Sequence, residues 1–178
     1  MPTHSPAYED GSRPAPARLG AANPALQGML AEAMAGGTPL MLVHLDIDHF
    51  ASVNENMSVA VGDLALELLA RRLEDSLEGR GRLWRHGSDE FIAAIPLVAG
   101  SPDATDMAWE LQREAELPLS VLPYTLFLTV KLGVSLCPGH AQDADALLRM
   151  AEIAARQATH GDERIQFYGG QSLQNVHN

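Results

Sequence analysis

The run from Pro39 to Ile47 is almost continuously apolar, short and rich in branched residues, and it closes on Asp46 with Asp48 just beyond. A half-exposed strand would alternate; a run without alternation describes a strand buried on both faces. Whatever sheet contains it needs covering elements, and the flanking patterns supply them.

Upstream, Asn23 reads as an N-cap with Pro24 at the first helical position, and Leu26, Met29, Leu30, Ala33 and Met34 recur at helical spacing up to Gly36-Gly37. Downstream, a short helical stretch precedes Leu66, Leu69, Ala70, Leu73 and Leu77, the stripe of a long amphipathic helix that Gly79 and Gly81 should stop. The runs 82–86 and 91–97, separated by Gly-Ser-Asp-Glu, predict a tight hairpin with acidic residues at its tip. A helix over about 103–116 follows. From Tyr124 to Leu136, apolar residues alternate with Thr125, Thr129, Lys131 and Ser135, which predicts one long strand ended by Pro138-Gly139. Ala144, Leu147, Leu148, Ala151 and Ala155 form another helical stripe before a last short strand over 164–168. This order predicts an α/β domain of the α+β kind, with a central mixed, largely antiparallel sheet and flanking helices. A doubly wound parallel sheet fits less well, because the hairpin forces an antiparallel pair.

The 178 residues, 46% of them apolar, suit one domain with one sizeable core. Residues 1–18 are rich in Pro, Ala and small polar residues and read as a flexible arm; the domain is expected over 19–169, with 170–178 as tail or linker. A net charge of -11 without a basic cluster speaks against nucleic acid as a partner. No apolar run is long enough for membrane insertion, and the N-terminus lacks a signal-peptide pattern. The lone Cys137 excludes an internal disulfide, reads as a small core residue and fits a reducing cytoplasm. Seven histidines without metal-ligand spacing predict no zinc site, and His86 reads as a hairpin residue. Trp84, Trp109, Tyr124 and Phe127 read as packing residues.

Chemistry concentrates in HLDIDHF, residues 44–50, and RHGSDEF, residues 85–91. If the two strands are neighbours, Asp46, Asp89 and Glu90 converge, and their mutual repulsion calls for a cation. Hard oxygen ligands suit Mg²⁺ or Mn²⁺ carrying a nucleoside triphosphate. The alternative is ordinary: an Asp that caps the next helix and a solvated hairpin tip.

Residues 44–63, HLDIDHFASVNENMSVAVGD, resemble the GGDEF family pattern L-D-I-D-H-F-K-x-I-N-D-x-x-G-H-x-x-G-D, and WRHGSDEF resembles its R-x-G-G-D-E-F signature. Residues 129–152 resemble T-V-S-I-G-I-S-x-Y-P-x-H-G-x-D-A-x-x-L-L-x-x-A-D, and ARLGAANP echoes L-T-G-L-x-N-R at Gly20 and Asn23. The resemblance implies a palm-like nucleotidyl-cyclase fold in bacterial cyclic di-GMP signalling. In that family two GTP molecules on facing domains of a homodimer are joined as each ribose 3′-hydroxyl attacks the other's α-phosphate. It further implies that Asp46, the Ile47 carbonyl and Asp89 hold metal, with Glu90 beside the metal and the reacting ribose. Asn54 and Asp63 would read the guanine edge, the amides of His49 and Phe50 would face the terminal phosphates, Gly87 would let the backbone approach the nucleotide, and Ser88 would put a side chain at the next position along the same substrate contact. A neighbouring EAL or sensor domain is a common companion.

The departures from the pattern cluster on phosphate contacts. Ala51 and Thr159 replace lysines, Asp162 falls near an expected arginine, and Ser88 replaces the second signature glycine. Ser58-Val59 stands for the family's G-H. The inhibitory R-x-x-D motif would fall on Glu78 and Gly81, which supply neither charge partner. Joint loss of such cations removes about 2 to 4 kcal/mol of transition-state stabilisation. The expectation is a degenerate domain that binds GTP and metal weakly or dimerises as a regulatory module, with an active diguanylate cyclase as the alternative.

Overall fold

The computed structural model describes residues 23–159 and 164–170. The arm over 1–18, Gly20, Asp162 and residues 171–178 lie outside the described residues. Helix α1 (Pro24–Gly36) begins as its cap dictates: the Asn23 side chain accepts from the Ala25 and Leu26 amides, and Gly37 closes the helix in the left-handed region at φ 65°. Strand β1 (Leu40–Ile47) is buried along almost its whole length. Two helices follow, α2 (Ala51–Asn56) and α3 (Val59–Leu77), then the hairpin β2 (Arg82–His86) and β3 (Glu90–Pro96), and α4 (Ala104–Glu116). The chain continues through β4 (Leu119–Val121), β5 (Tyr124–Leu126), β6 (Val130–Cys137), α5 (Ala144–Gln157) and β7 (Ile165–Phe167).

The main sheet runs β2-β3-β1-β6-β7, antiparallel except for the parallel β6/β7 pair. It is the mixed, largely antiparallel sheet that the order of elements implies. Alternate residues of β1 serve opposite layers. Met41, Val43, Leu45 and Ile47 join α3 and α4 in one core, and Leu40 and Leu42 join α1 and α5 in the other. The double burial of β1 thus follows from helices on both faces.

Three expectations need correction. The long strand over 124–136 is two strands, and β5 leaves the main sheet to pair with β4 in a separate ribbon. The alternation survives the break, because a period of two reports which side chains are buried and not which strand is the partner. The second correction concerns aromatics: Trp84 is buried, but Phe127 is 75% exposed and Trp109 and Tyr124 are also exposed. Third, Glu78, not a glycine, takes the left-handed cap of α3 at φ 51°, with Gly79 extending the turn.

The turn after β6 carries a titratable hinge. His140 Nδ1 accepts from the Leu136 amide at 3.0 Å, and its own amide donates to the Leu136 carbonyl at 2.7 Å. Burial lowers the His140 pKa, so the fold favours the neutral ring. Its contribution is complete above the ordinary value of 6.5 and disappears as pH falls through the depressed folded value. The melting-temperature gap between wild type and His140→Ala is therefore expected to narrow on going from pH 7.5 to pH 5. Parallel curves would show that the ring is not linked to folding.

Candidate functional site

The site grows from the register of the sheet. Asp46 pairs with Glu90, and Glu90 also faces His86 across the hairpin. Just past the last pair, the Ile47 amide donates to the Asp89 carbonyl at 3.1 Å, tying the hairpin tip to the end of β1. Asp46, Ile47, Asp89 and Glu90 thus meet at one end of the sheet. Burial raises the Asp46 pKa to about 6, and the charges of Asp89, Glu90 and Asp48 push the same way against Lys131. Burial also raises the Glu90 pKa, with His86 opposing and Asp89 adding to it. This is a half-buried acidic centre under electrostatic tension.

Gly87 is required twice over. It adopts φ 66°, and a Cβ there would overlap a Glu90 carboxylate oxygen. Ser88 is exposed, and its hydroxyl lies 3.1 Å from Asp89 Oδ1 while Arg85 donates to its carbonyl at 3.1 Å. The departure at Ser88 therefore adds a side chain that engages a site carboxylate.

Asp48 does different work from Asp46. Its amide donates to the Thr129 carbonyl at 2.8 Å, and its carboxylate accepts from the Thr129 hydroxyl at 3.0 Å. Lys131 Nζ lies 3.7 Å and Arg164 Nη1 3.6 Å from its oxygens, and Arg164 also reaches Glu116 at 3.4 Å. Asp48 is an anchor joining β1, β6 and the start of β7. Sequence reasoning treated Lys131 as an alternating polar residue; its pairing with Asp46 across β1 and β6 places it beside the centre.

His49 and Phe50 form the entry to α2, with His49 at φ 53° and Phe50 buried. Ser58 accepts from the Val61 amide at 3.2 Å, so this departure from the G-H pair caps α3. The helices α2 and α3 pack so closely that a Cβ at Gly62 would overlap the Asn54 amide. Asn54 Oδ1 is buried there with no hydrogen-bond partner, and Asp63 follows Gly62 exposed. An open groove lies elsewhere, between Trp109, Glu110, Arg113, Glu116, Thr129 and Arg164. It touches the anchor of Asp48, not the acidic centre.

His44 was missed altogether. It faces the same side of the sheet as Asp46, is 3% exposed, and neither ring nitrogen has a hydrogen-bond partner. A single polar residue interrupting the apolar run was the available signal.

Solved structures place the fold among cyclase-type domains. A GGDEF-domain-only form of TpbB from Pseudomonas aeruginosa superposes with TM-score 0.71 at 27% identity, covering 81% of this chain and 85% of that one. The GGDEF domain of DgcB from Caulobacter crescentus, solved in complex with cyclic di-GMP, gives TM-score 0.67 at 26% identity over 88% and 98%. The family described as "Diguanylate cyclase, GGDEF domain" matches residues 21–164, and the chain belongs to it, a family of cyclic di-GMP signalling. Curated relatives include the cyclic di-GMP phosphodiesterase NbdA of Pseudomonas aeruginosa, 28% identical over 77% of this chain and 18% of its own length. The probable diguanylate cyclase DgcF of Escherichia coli is 36% identical over 53% and 30%. The chain therefore spans less than a third of the length of these relatives. Among the described residues, no helix is long and apolar enough to cross a membrane.

Proposed function

We propose that the chain is a GGDEF domain that binds guanine nucleotide with Mg²⁺ or Mn²⁺ and makes little or no cyclic di-GMP. The observation that carries this reading is a contrast within one site. Asp46 and Glu90 pair at the end of the sheet beside Asp89, whereas positions 51 and 159, where the family pattern has lysines, hold exposed Ala and Thr. Arg164 does not stand in for them, because Asp48 and Glu116 engage its guanidinium.

The donor set fits a hard divalent cation. Asp46, the Ile47 carbonyl and Asp89 offer oxygen only, and a cation offsets the burial, and the repulsion added to it, that raise the Asp46 pKa. When bound, the ion supplies Lewis-acid charge to the phosphates. Glu90 lies beside this centre, where it accepts a proton or hydrogen bond from a ribose hydroxyl. The Asn54 Oδ1, buried without a partner, and the exposed Asp63 suit the guanine edge, whose N–H groups can donate to both. His49, Phe50, Gly87 and Ser88 line the backbone approach to the phosphates. A turnover-deficient domain of this kind acts through nucleotide-dependent pairing with a second copy or with an adjoining EAL or sensor domain, in a cytoplasmic setting. One structural relative, from M. capsulatus, is itself described as an EAL/GGDEF domain protein.

GTP with Mg²⁺ is expected to raise the melting temperature, because a ligand of the folded state stabilises it by mass action. Asp89→Ala should abolish that increment. An equal increment in mutant and wild type would put the nucleotide elsewhere.

A second reading, active diguanylate cyclase, is favoured by Lys131, which lies opposite Asp46 in the sheet and would have to leave Asp48 to meet a phosphate. The inhibitory site is absent on either reading. Glu78 is exposed, and a Cβ at Gly81 would meet the Ala94 carbonyl at 2.5 Å, leaving no room for an aspartate. Calorimetry with cyclic di-GMP is expected to find no binding that survives Asp89→Ala; tight residual binding would contradict this.

A further inference from the structure

We infer that His44, His86 and Glu90 form a second cation site, separate from the Asp46–Asp89 pair, that takes a borderline transition-metal ion of the Zn²⁺ class. The three come from adjacent strands, β1, β2 and β3, and their ligand atoms lie within 4.8 Å of one another. Among the described residues this is the one such trio; Asp46, Asp89 and Glu90 do not draw together as tightly.

Two imidazoles and one carboxylate are a donor set suited to Zn²⁺, and Mg²⁺ prefers oxygen alone. Bonds of about 2.0 to 2.1 Å put neighbouring ligands of a tetrahedral ion roughly 3.3 Å apart. His44 Nε2 and Glu90 Oε1 already stand at 3.5 Å. His86, half-buried on the edge strand β2, needs only a side-chain adjustment to close the third side, its ring lying 5.9 Å from that of His44 and nearly perpendicular to it.

The independent sign is His44 itself. A side chain 97% hidden from solvent with both ring nitrogens unpartnered is an unfavourable thing to build unless something else meets them. Leu42 and Trp84 lie in the buried layer on the same face of the sheet. Glu90 belongs to both centres. Occupancy of one site therefore draws on a carboxylate that the other uses.

The site was invisible in sequence because His44 and His86 are far apart in the chain and share no ligand spacing. Only the register, with His86 and Asp46 both opposite Glu90, brings them together.

Metal-stripped protein is titrated with Co²⁺ in the absence of nucleotide, followed by visible absorption, and then with Zn²⁺. The expected result is one equivalent of Co²⁺ with the intense d–d bands of a low-coordinate nitrogen-oxygen site, displaced by one equivalent of Zn²⁺ and not by excess Mg²⁺. His86→Ala and Glu90→Gln should each weaken Co²⁺ binding by at least about tenfold. Asp89→Ala should leave it unchanged. His86 is partly exposed, so its variant tests the site without disturbing the core, and a melting curve checks this. Absence of the bands, binding unaffected by His86→Ala, or binding abolished by Asp89→Ala would each overturn the inference. The use of Co²⁺ without GTP keeps this outcome separate from that of the nucleotide site.

Discussion

On the proposed reading, placing cations at two positions where the family pattern has lysines, with Ala51→Lys, Thr159→Lys and Ser88→Gly together, is expected to raise cyclic di-GMP production from GTP by about 30- to 1000-fold, the range set by 2 to 4 kcal/mol of transition-state stabilisation. The backbone already accommodates the changes. Ala51 and Thr159 are exposed, so lysines there meet solvent and not the core. Removing the Ser88 side chain frees Asp89 Oδ1 from its hydroxyl neighbour and opens the approach of phosphate to the turn. The carboxylates and the Asn54 amide keep their identities, so a gain reports on the added charge together with the opened turn, and the double variant Ala51→Lys, Thr159→Lys separates the two. The measurement is initial rate at saturating GTP and Mg²⁺. A larger gain in kcat than in KM would mark cations that act on charge developing in the transition state. A change confined to KM would instead mark ground-state binding.

Gly133→Val is expected to destabilise the fold by about 3 kcal/mol or more, lowering the melting temperature by roughly 6 to 12 °C. Gly133 sits mid-sheet, opposite His44 on β1 and Gln166 on β7. A Cβ there would overlap the Ala151 carbonyl and the Ala155 amide nitrogen, because α5 rests its backbone directly on β6. Small residues on both sides permit this approach, and no rotamer change relieves a backbone clash. Lifting α5 would expose Leu147 and Ala151 and displace the chain that leads to Thr159. Gly139→Ala is the control: a Cβ meets nothing within 4 Å there, so the melting temperature should hardly move. Similar losses at both positions, by differential scanning calorimetry, would contradict this account of the helix–sheet contact.

Much of the architecture was readable because local signals agreed with the global fold. Asn23, Asp103 and Asp143 cap their helices through side-chain oxygens, and the hairpin closes at Gly87. The placing of the acidic residues has a simpler reason: two short motifs end on neighbouring strands, so Asp46 and Glu90 pair at the sheet's end with Asp89 beside them. Features that depend on partner choice were not. Leu126 and Leu128 are both buried although β5 has left the sheet before Leu128, so alternation could not reveal the break. Phe127 projects outward between them for the same reason. The clasp of Lys131, Thr129 and Arg164 on Asp48 joins residues from three parts of the chain, and nothing in any one of them announces it.

The central claim is that this site holds guanine nucleotide and metal but lacks the phosphate grip for turnover. Incubating the unmodified protein with GTP and Mg²⁺ or Mn²⁺, and separating the nucleotides by chromatography, tests it most directly. The account predicts GTP recovered essentially unchanged at protein concentrations where GTP with Mg²⁺ still raises the melting temperature. Steady accumulation of cyclic di-GMP under ordinary Mg²⁺ would contradict it and show that the chain turns GTP over with Ala51 and Thr159 in place.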